Sequence, residues 1–158
     1  MTRQLTFRGS IDVADNARST NNKIFAYESS DLTRAWKVKE YYIWPESIRA
    51  ISGGDGQFMV CSSVATDTID PDGFDDVVTV NDNRQIGWMM KGLQDNRAII
   101  DPDHIINRHL YINLYSTSDN SASPIRRYNY IIILEPMKIS ENEAILQLVK
   151  GVAQNITS

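Results

Sequence analysis

The sequence predicts a mainly β domain, an antiparallel β-sandwich or jelly-roll-like fold carrying one amphipathic helix at its C-terminal end. Three observations predict it. Short runs of apolar–polar alternation recur along the chain, with Gly, Pro, Asn and Asp clusters between them. No strand–helix alternation of the kind a parallel sheet needs is visible. Helical periodicity is clear only after residue 140. The 158 residues suit a single domain over 1–158. A chain of this length buries about two-thirds of its unfolded surface without a disulfide or metal staple. Its 42% hydrophobic and 23% charged content exclude global disorder.

Taken in order, Leu5, Phe7, Ile11 and Val13 alternate with polar residues around Gly9. They predict a strand that bends or bulges at the glycine. The polar run 14–22 reads as a surface loop, and 24–27 as a short strand. Residues 34–44 give the clearest β signal. Trp36, Val38, Tyr42 and Trp44 share one parity, and Lys37 and Lys39 the other. Glu40 interrupts the apolar face, while Tyr41 and Ile43 make the far end apolar on both sides. The expected strand begins half exposed, ends buried and stops at Pro45. Residues 47–50 fit one helical turn, and Gly53-Gly54-Asp55-Gly56 a tight turn.

Strands are expected over 57–64, 77–80 and 85–90, with an acidic loop over 67–76 between the first two. Asp101-Pro102-Asp103 breaks the chain. Residues 109–116 then alternate, with Leu110, Ile112 and Leu114 opposing Tyr111, Asn113 and Tyr115. The Ser/Asn-rich run 116–124 is a loop. Residues 127–135 are apolar on both faces, which marks a central strand, and Pro136 is expected to end it. Ser140-Glu141-Asn142-Glu143 is a capping box. Ile145, Leu148, Val149, Val152 and Ile156 follow on one helical face, predicting a helix over about 140–156. Gly151 costs that helix about 1 kcal/mol against alanine, so packing must hold it.

Charge narrows the function classes. The net charge is -4, from 16 basic and 20 acidic residues, with no like-charge block. Tight sequence-independent binding to a phosphate backbone needs the opposite balance. No apolar run approaches the ~18 residues that span a bilayer. The opening Met1-Thr2-Arg3-Gln4 lacks the apolar run of a signal peptide. Cytoplasmic placement is therefore the default expectation. The single thiol, Cys61, cannot close an intrachain disulfide and reads as a small core residue.

The inventory for catalysis is thin, and the expectation is a protein that is not an enzyme and has no cofactor. No phosphate-binding glycine loop, nucleophile elbow or triad spacing occurs. Asp70, Asp72 and Asp75 in the acidic loop are candidate calcium or magnesium ligands, because such ions take six to eight oxygens. The helix–loop–helix calcium register fails there, since Thr68 and Thr79 stand where carboxylates are needed. Asp101, Asp103, His104 and His109 can be read as a second metal cluster, or as a proline turn whose aspartates bond their own backbone. Tyr111 and Tyr115, opposite the apolar parity of their strand, are candidate interface aromatics. Arg3, Arg8, Arg126 and Arg127 are candidate contacts to nucleic-acid phosphates.

The strand Tyr128-Asn129-Tyr130-Ile131-Ile132-Ile133-Leu134-Glu135, followed by the capped helix from Ser140, resembles the ending of small viral coat proteins. The likeness covers about thirty residues, and such proteins are β-sheet subunits of closed shells. It implies a self-assembling virion subunit whose main partner is itself, with modest genome contacts, located in the virion. The basic N-terminal arm of many coat proteins is missing here, since Arg3, Arg8 and Arg18 are offset by Asp12 and Asp15. The alternative expectation is a carbohydrate- or calcium-binding β-sandwich module.

Overall fold

The computed structural model describes residues 3–27, 33–46, 58–69, 84–91, 96–118, 125–140 and 146. Among them are eight strands: β1 (Leu5–Ala14), β2 (Ala17–Ala26), β3 (Arg34–Pro45), β4 (Phe58–Ala65), β5 (Gln85–Lys91), β6 (Asn96–Ile100), β7 (His109–Ser118) and β8 (Ile125–Lys138). They form two antiparallel sheets, a three-stranded one in the order β1-β8-β3 and a five-stranded one in the order β2-β7-β4-β5-β6. The two sheets face each other across one core.

That core follows from period-2 alternation. Leu110, Ile112 and Leu114 of β7 are fully buried, as are Ile132 and Leu134 of β8, with Tyr128 nearly so. Phe25 stacks edge-on against both Phe7 and Trp36, joining β2 to the strands of the other sheet. Between the sheets the Tyr41 hydroxyl shares a short hydrogen bond with Ser62. Burial drives the Tyr41 phenol well above its ordinary pKa, so it stays neutral.

Several expectations change here. No bulge interrupts β1. Its ten residues pair in unbroken register with β8, from Leu5 opposite Leu134 to Ala14 opposite Ile125. Gly9 instead makes room for the ring of Tyr130 opposite, since a Cβ there would sit 2.6 Å from the Tyr130 hydroxyl oxygen. The polar run expected to be a loop is mostly β2. Only Asp15-Asn16 turns between the sheets, with Asn16 at φ 61°. β2 is an edge strand, so its polar side chains supply hydrogen bonds rather than turns. Asn21, at a bulge with φ 59°, donates its amide N–H to Asn113 Oδ1 and grips both backbone groups of Ile69. β6 carries no strand signal strong enough to read in advance.

Pro136 does not end β8, which runs on to Lys138. Beyond Leu134 it pairs with β3 alone, so the missing proline N–H is not needed on the open side. The expected C-terminal helix lies outside the described residues except for Leu146, which is helical and exposed. No helix is among the described elements. The expected turn over 47–50, the glycine turn and the strand over 77–80 also lie outside them.

At the Asp15 turn a buried polar cluster ties the end of β1 to β7 and β8. Arg126 Nε donates to both Asp15 oxygens at 2.9 Å, with side-chain exposures of 6% and 0%. Ser116 donates to Asp15 at 2.8 Å, so Tyr128, 2.8 Å from the same serine, must donate its own proton. The Tyr128 phenol is pushed up to about 12, first by burial and then by the nearby Asp15 charge.

Candidate functional site

The surface is shaped by one irregularity. β3 and β8 pair in register until Val38, then skip a residue, so that Glu40 takes the place opposite Ile133. A bulge of this kind reverses which side chains face inward. Before it, Trp36 and Val38 point into the core. After it Tyr41 and Ile43 do, each 1% exposed. Tyr42 and Trp44, which simple alternation assigns to the core, are turned out with 45% and 37% exposure.

Their neighbours follow from register. Trp44, Asn129 and Ser10 form one row across β3, β8 and β1, and Tyr42, Ile131 and Arg8 the next. Above them Arg127 donates to Asp12 at 2.9 Å and lies 3.8 Å from Glu46. The hydrogen bond to Arg127 holds the Asp12 carboxyl below its usual range. Between the first two rows lies a shallow groove of about 360 Å³, lined by Arg8, Gly9, Ser10, Trp44, Asn129 and Ile131, with Tyr130 at its floor.

The two edges of this sheet differ. On the β3 side the chain after β6 returns and caps the strand. Trp36 and Ile106 exchange backbone hydrogen bonds at 2.8 Å. The next amide, Val38 N–H, donates to His104 Nε2 at 2.7 Å, and Ile43 N–H donates to Met89 Sδ at 3.3 Å. His104 Nδ1 bonds the Asp101 carbonyl. That carbonyl can only accept, so the ring carries its proton on Nδ1 and is neutral. On the other side, β1 ends the sheet. Among the described residues nothing pairs with its outer edge.

The residues singled out in the sequence are scattered. Arg126 is buried against Asp15 and is not presented to a phosphate. Arg127 is exposed but sits between Asp12 and Glu46. Arg3 and Arg8 are exposed, and only Arg8 borders the groove. Tyr111 is 8% exposed, so it is no open interface aromatic. The Lys23 ammonium lies 5.9 Å from its ring centre and the His109 ring 6.0 Å. Tyr115 is half-buried. Asp70, Asp72 and Asp75 lie outside the described residues. The Asp101–His104 run is the proline turn, with Asp103 N–H bonded to Asp101 Oδ1 at 2.9 Å and both ring nitrogens of His104 engaged. Cys61 is buried, as expected for a packed thiol. Among the described residues no three His, Cys, Asp or Glu side chains converge to hold a metal ion. No helix among them is long and apolar enough to cross a membrane.

No protein-family model matches the chain, and no curated protein matches it. A chain from the solved structure described as "Bacillus endospore appendages form a novel family of disulfide-linked pili" is similar in outline. The similarity covers 89% of this chain and 92% of that one, at 8% identity and a TM-score of 0.37.

Tyr42 and Trp44 are the site residues that alternation alone assigned to the wrong face. The signal was present: Glu40 interrupts an apolar parity that Tyr41 and Ile43 then take over. A change of parity within one strand is what a bulge writes into a sequence.

Proposed function

We propose that this chain is a self-assembling structural subunit, and in finer form a jelly-roll tile of a closed virion shell. Support for the jelly-roll reading comes from strand order. A long antiparallel hairpin pairing β1 with β8, β2 with β7 and β4 with β5, then wrapped, gives β1-β8-β3 facing β2-β7-β4-β5, as observed. Among the described strands only β6 departs, pairing with β5 where a full roll would set it beside β3. The fold hosts coat proteins, lectins and enzymes alike, so the functional reading must rest on a surface.

The observation that carries it is the outer edge of β1. Ten residues in regular register, without proline, lysine or bulge, leave an outer edge that pairs with nothing among the described residues. Residues 8 and 12 lie equally far from Ser10. A second β1, laid antiparallel and centred on Ser10, therefore sets Arg8 of each copy opposite Asp12 of the other. Such a two-fold contact joins subunits in pairs, and closure into a shell then takes a second, different contact. The role is structural rather than catalytic, the main partner is the chain itself, and the place is the virion. Genome contact, if made by the arginines named above, falls to Arg3 and Arg8.

Light scattering after size exclusion tests this. The expected mass is a multiple of 17.9 kDa. Arg8→Asp lowers it, and Arg8→Asp combined with Asp12→Arg restores it. Hydrogen exchange over residues 5–14 should slow on assembly. A 17.9 kDa monomer at all salt and pH values overturns the reading.

A further inference from the structure

We infer that the groove beneath Trp44 is a saccharide-binding platform for the pyranose rings of a glycan chain. This inference does not require assembly: the groove opens on the sheet face beside the β1 edge, and of its lining only Arg8 is also used in the contact proposed between copies. A pyranose has an apolar C–H face and a rim of hydroxyls. Its recognition needs an exposed aromatic surface with groups nearby that both donate and accept hydrogen bonds.

The groove provides both. Trp44 is 37% exposed, although tryptophan is ordinarily well buried, and Ile131 extends the apolar floor beside it. The Asn129 carboxamide and Ser10 hydroxyl each donate and accept. The Arg8 guanidinium adds N–H donors for hydroxyl oxygens. Among the described residues Arg8 is the one charged side chain lining the groove, beside uncharged Ser10, Asn129, Trp44 and Ile131, so the lining suits a hydroxyl-rich ligand and disfavours a cationic one. Its volume of about 360 Å³ is at the small end for ligand sites, fitting one or two sugar rings.

The surroundings favour a chain over a single sugar. Tyr42, 45% exposed, precedes Trp44 by two residues on the same face of β3, about 7 Å away by strand geometry. Two aromatic side chains in line along an open face match consecutive rings of an oligosaccharide. A rigid sheet holds them in place before the ligand arrives, which lowers the ordering cost of binding.

The test titrates cellohexaose, chitohexaose, maltohexaose and xylohexaose into the full chain, read by calorimetry and by saturation-transfer NMR. At least one should bind, and its binding should protect tryptophan fluorescence from acrylamide quenching. Trp44→Ala should weaken that binding roughly tenfold or more, as truncating a tryptophan anchor does. Asn129→Ala should weaken it several-fold, and Tyr42→Ala should weaken the hexamer more than the disaccharide. Melting temperature and subunit mass of the three variants should match the parent. Binding by none of the four glycans overturns the inference. So does binding that survives Trp44→Ala, or a Trp44→Ala variant whose subunit mass falls, which would make the face a contact between copies.

Discussion

His104 shows how one side chain closes an edge. A strand edge exposes backbone donors that attract foreign strands. Here an imidazole nitrogen takes one of them, Val38 N–H, and the Asp101 carbonyl fixes the tautomer that makes this possible. Burial lowers the His104 pKa from its ordinary 6.5, Lys37 lowers it further, and Asp101 opposes both. The sign for stability follows. The unfolded chain takes up a proton near pH 6.5 while the folded one resists, so this contribution is full above that pH and is lost as pH falls toward the depressed folded value. The protein should therefore melt at a lower temperature at pH 5 than at pH 7. His104→Gln retains an acceptor without a titrating proton. It should lose part of that dependence in thermal scans, and an identical slope in both proteins would refute the role. The Asp-Pro-Asp-His run was thus legible as a turn, but its histidine was not, because no local spacing announces a partner 66 residues away.

At the scale of elements, the bulge in β3 decides which aromatics hold the core and which meet solvent. Tyr41→Ala removes a ring that is 1% exposed and packed between sheets, and should cost about 3–5 kcal/mol in denaturant unfolding. Tyr42→Ala trims a half-exposed ring and should stay within about 1 kcal/mol. Unbroken alternation predicts the reverse order, so the pair of measurements discriminates the two registers. The sequence was most informative where one strand's alternation runs unbroken, as in β7, whose Leu110, Ile112 and Leu114 all reach the core. It was less so where tertiary pairing overrides local preference. β2 is polar because it is an edge strand. Gly9 answers a tyrosine that follows 121 residues later in the chain. Pro136 is tolerated only because β1 has already ended. The platform was hidden for the same reason, since Trp44, Asn129 and Arg8 come from three strands and meet only through register.

For the whole molecule, the wound order brings the two ends of the described chain together. β8 pairs along one side with β1 and along the other with β3, so the three-stranded sheet cannot form until nearly all of the chain exists. Among the described strands the outer edges of β1, β2 and β6 stay unpaired, on a body of net charge -4. Copies of such a body repel one another, while the contact proposed for β1 is made of backbone hydrogen bonds and a single pair of opposite charges per half. An exposed ion pair contributes about 0–1 kcal/mol, and salt weakens it little in absolute terms. Repulsion between whole subunits acts over about 30 Å at 0.01 M salt and only about 8 Å at 0.15 M. Screening the repulsion should therefore outweigh screening the pair. Assembly is expected to strengthen as salt rises from about 0.01 M to 0.15 M, with a larger mean mass by light scattering at fixed protein concentration. Assembly that instead dissolves over that interval would mean that charge pairing, not the β1 backbone, holds the copies together.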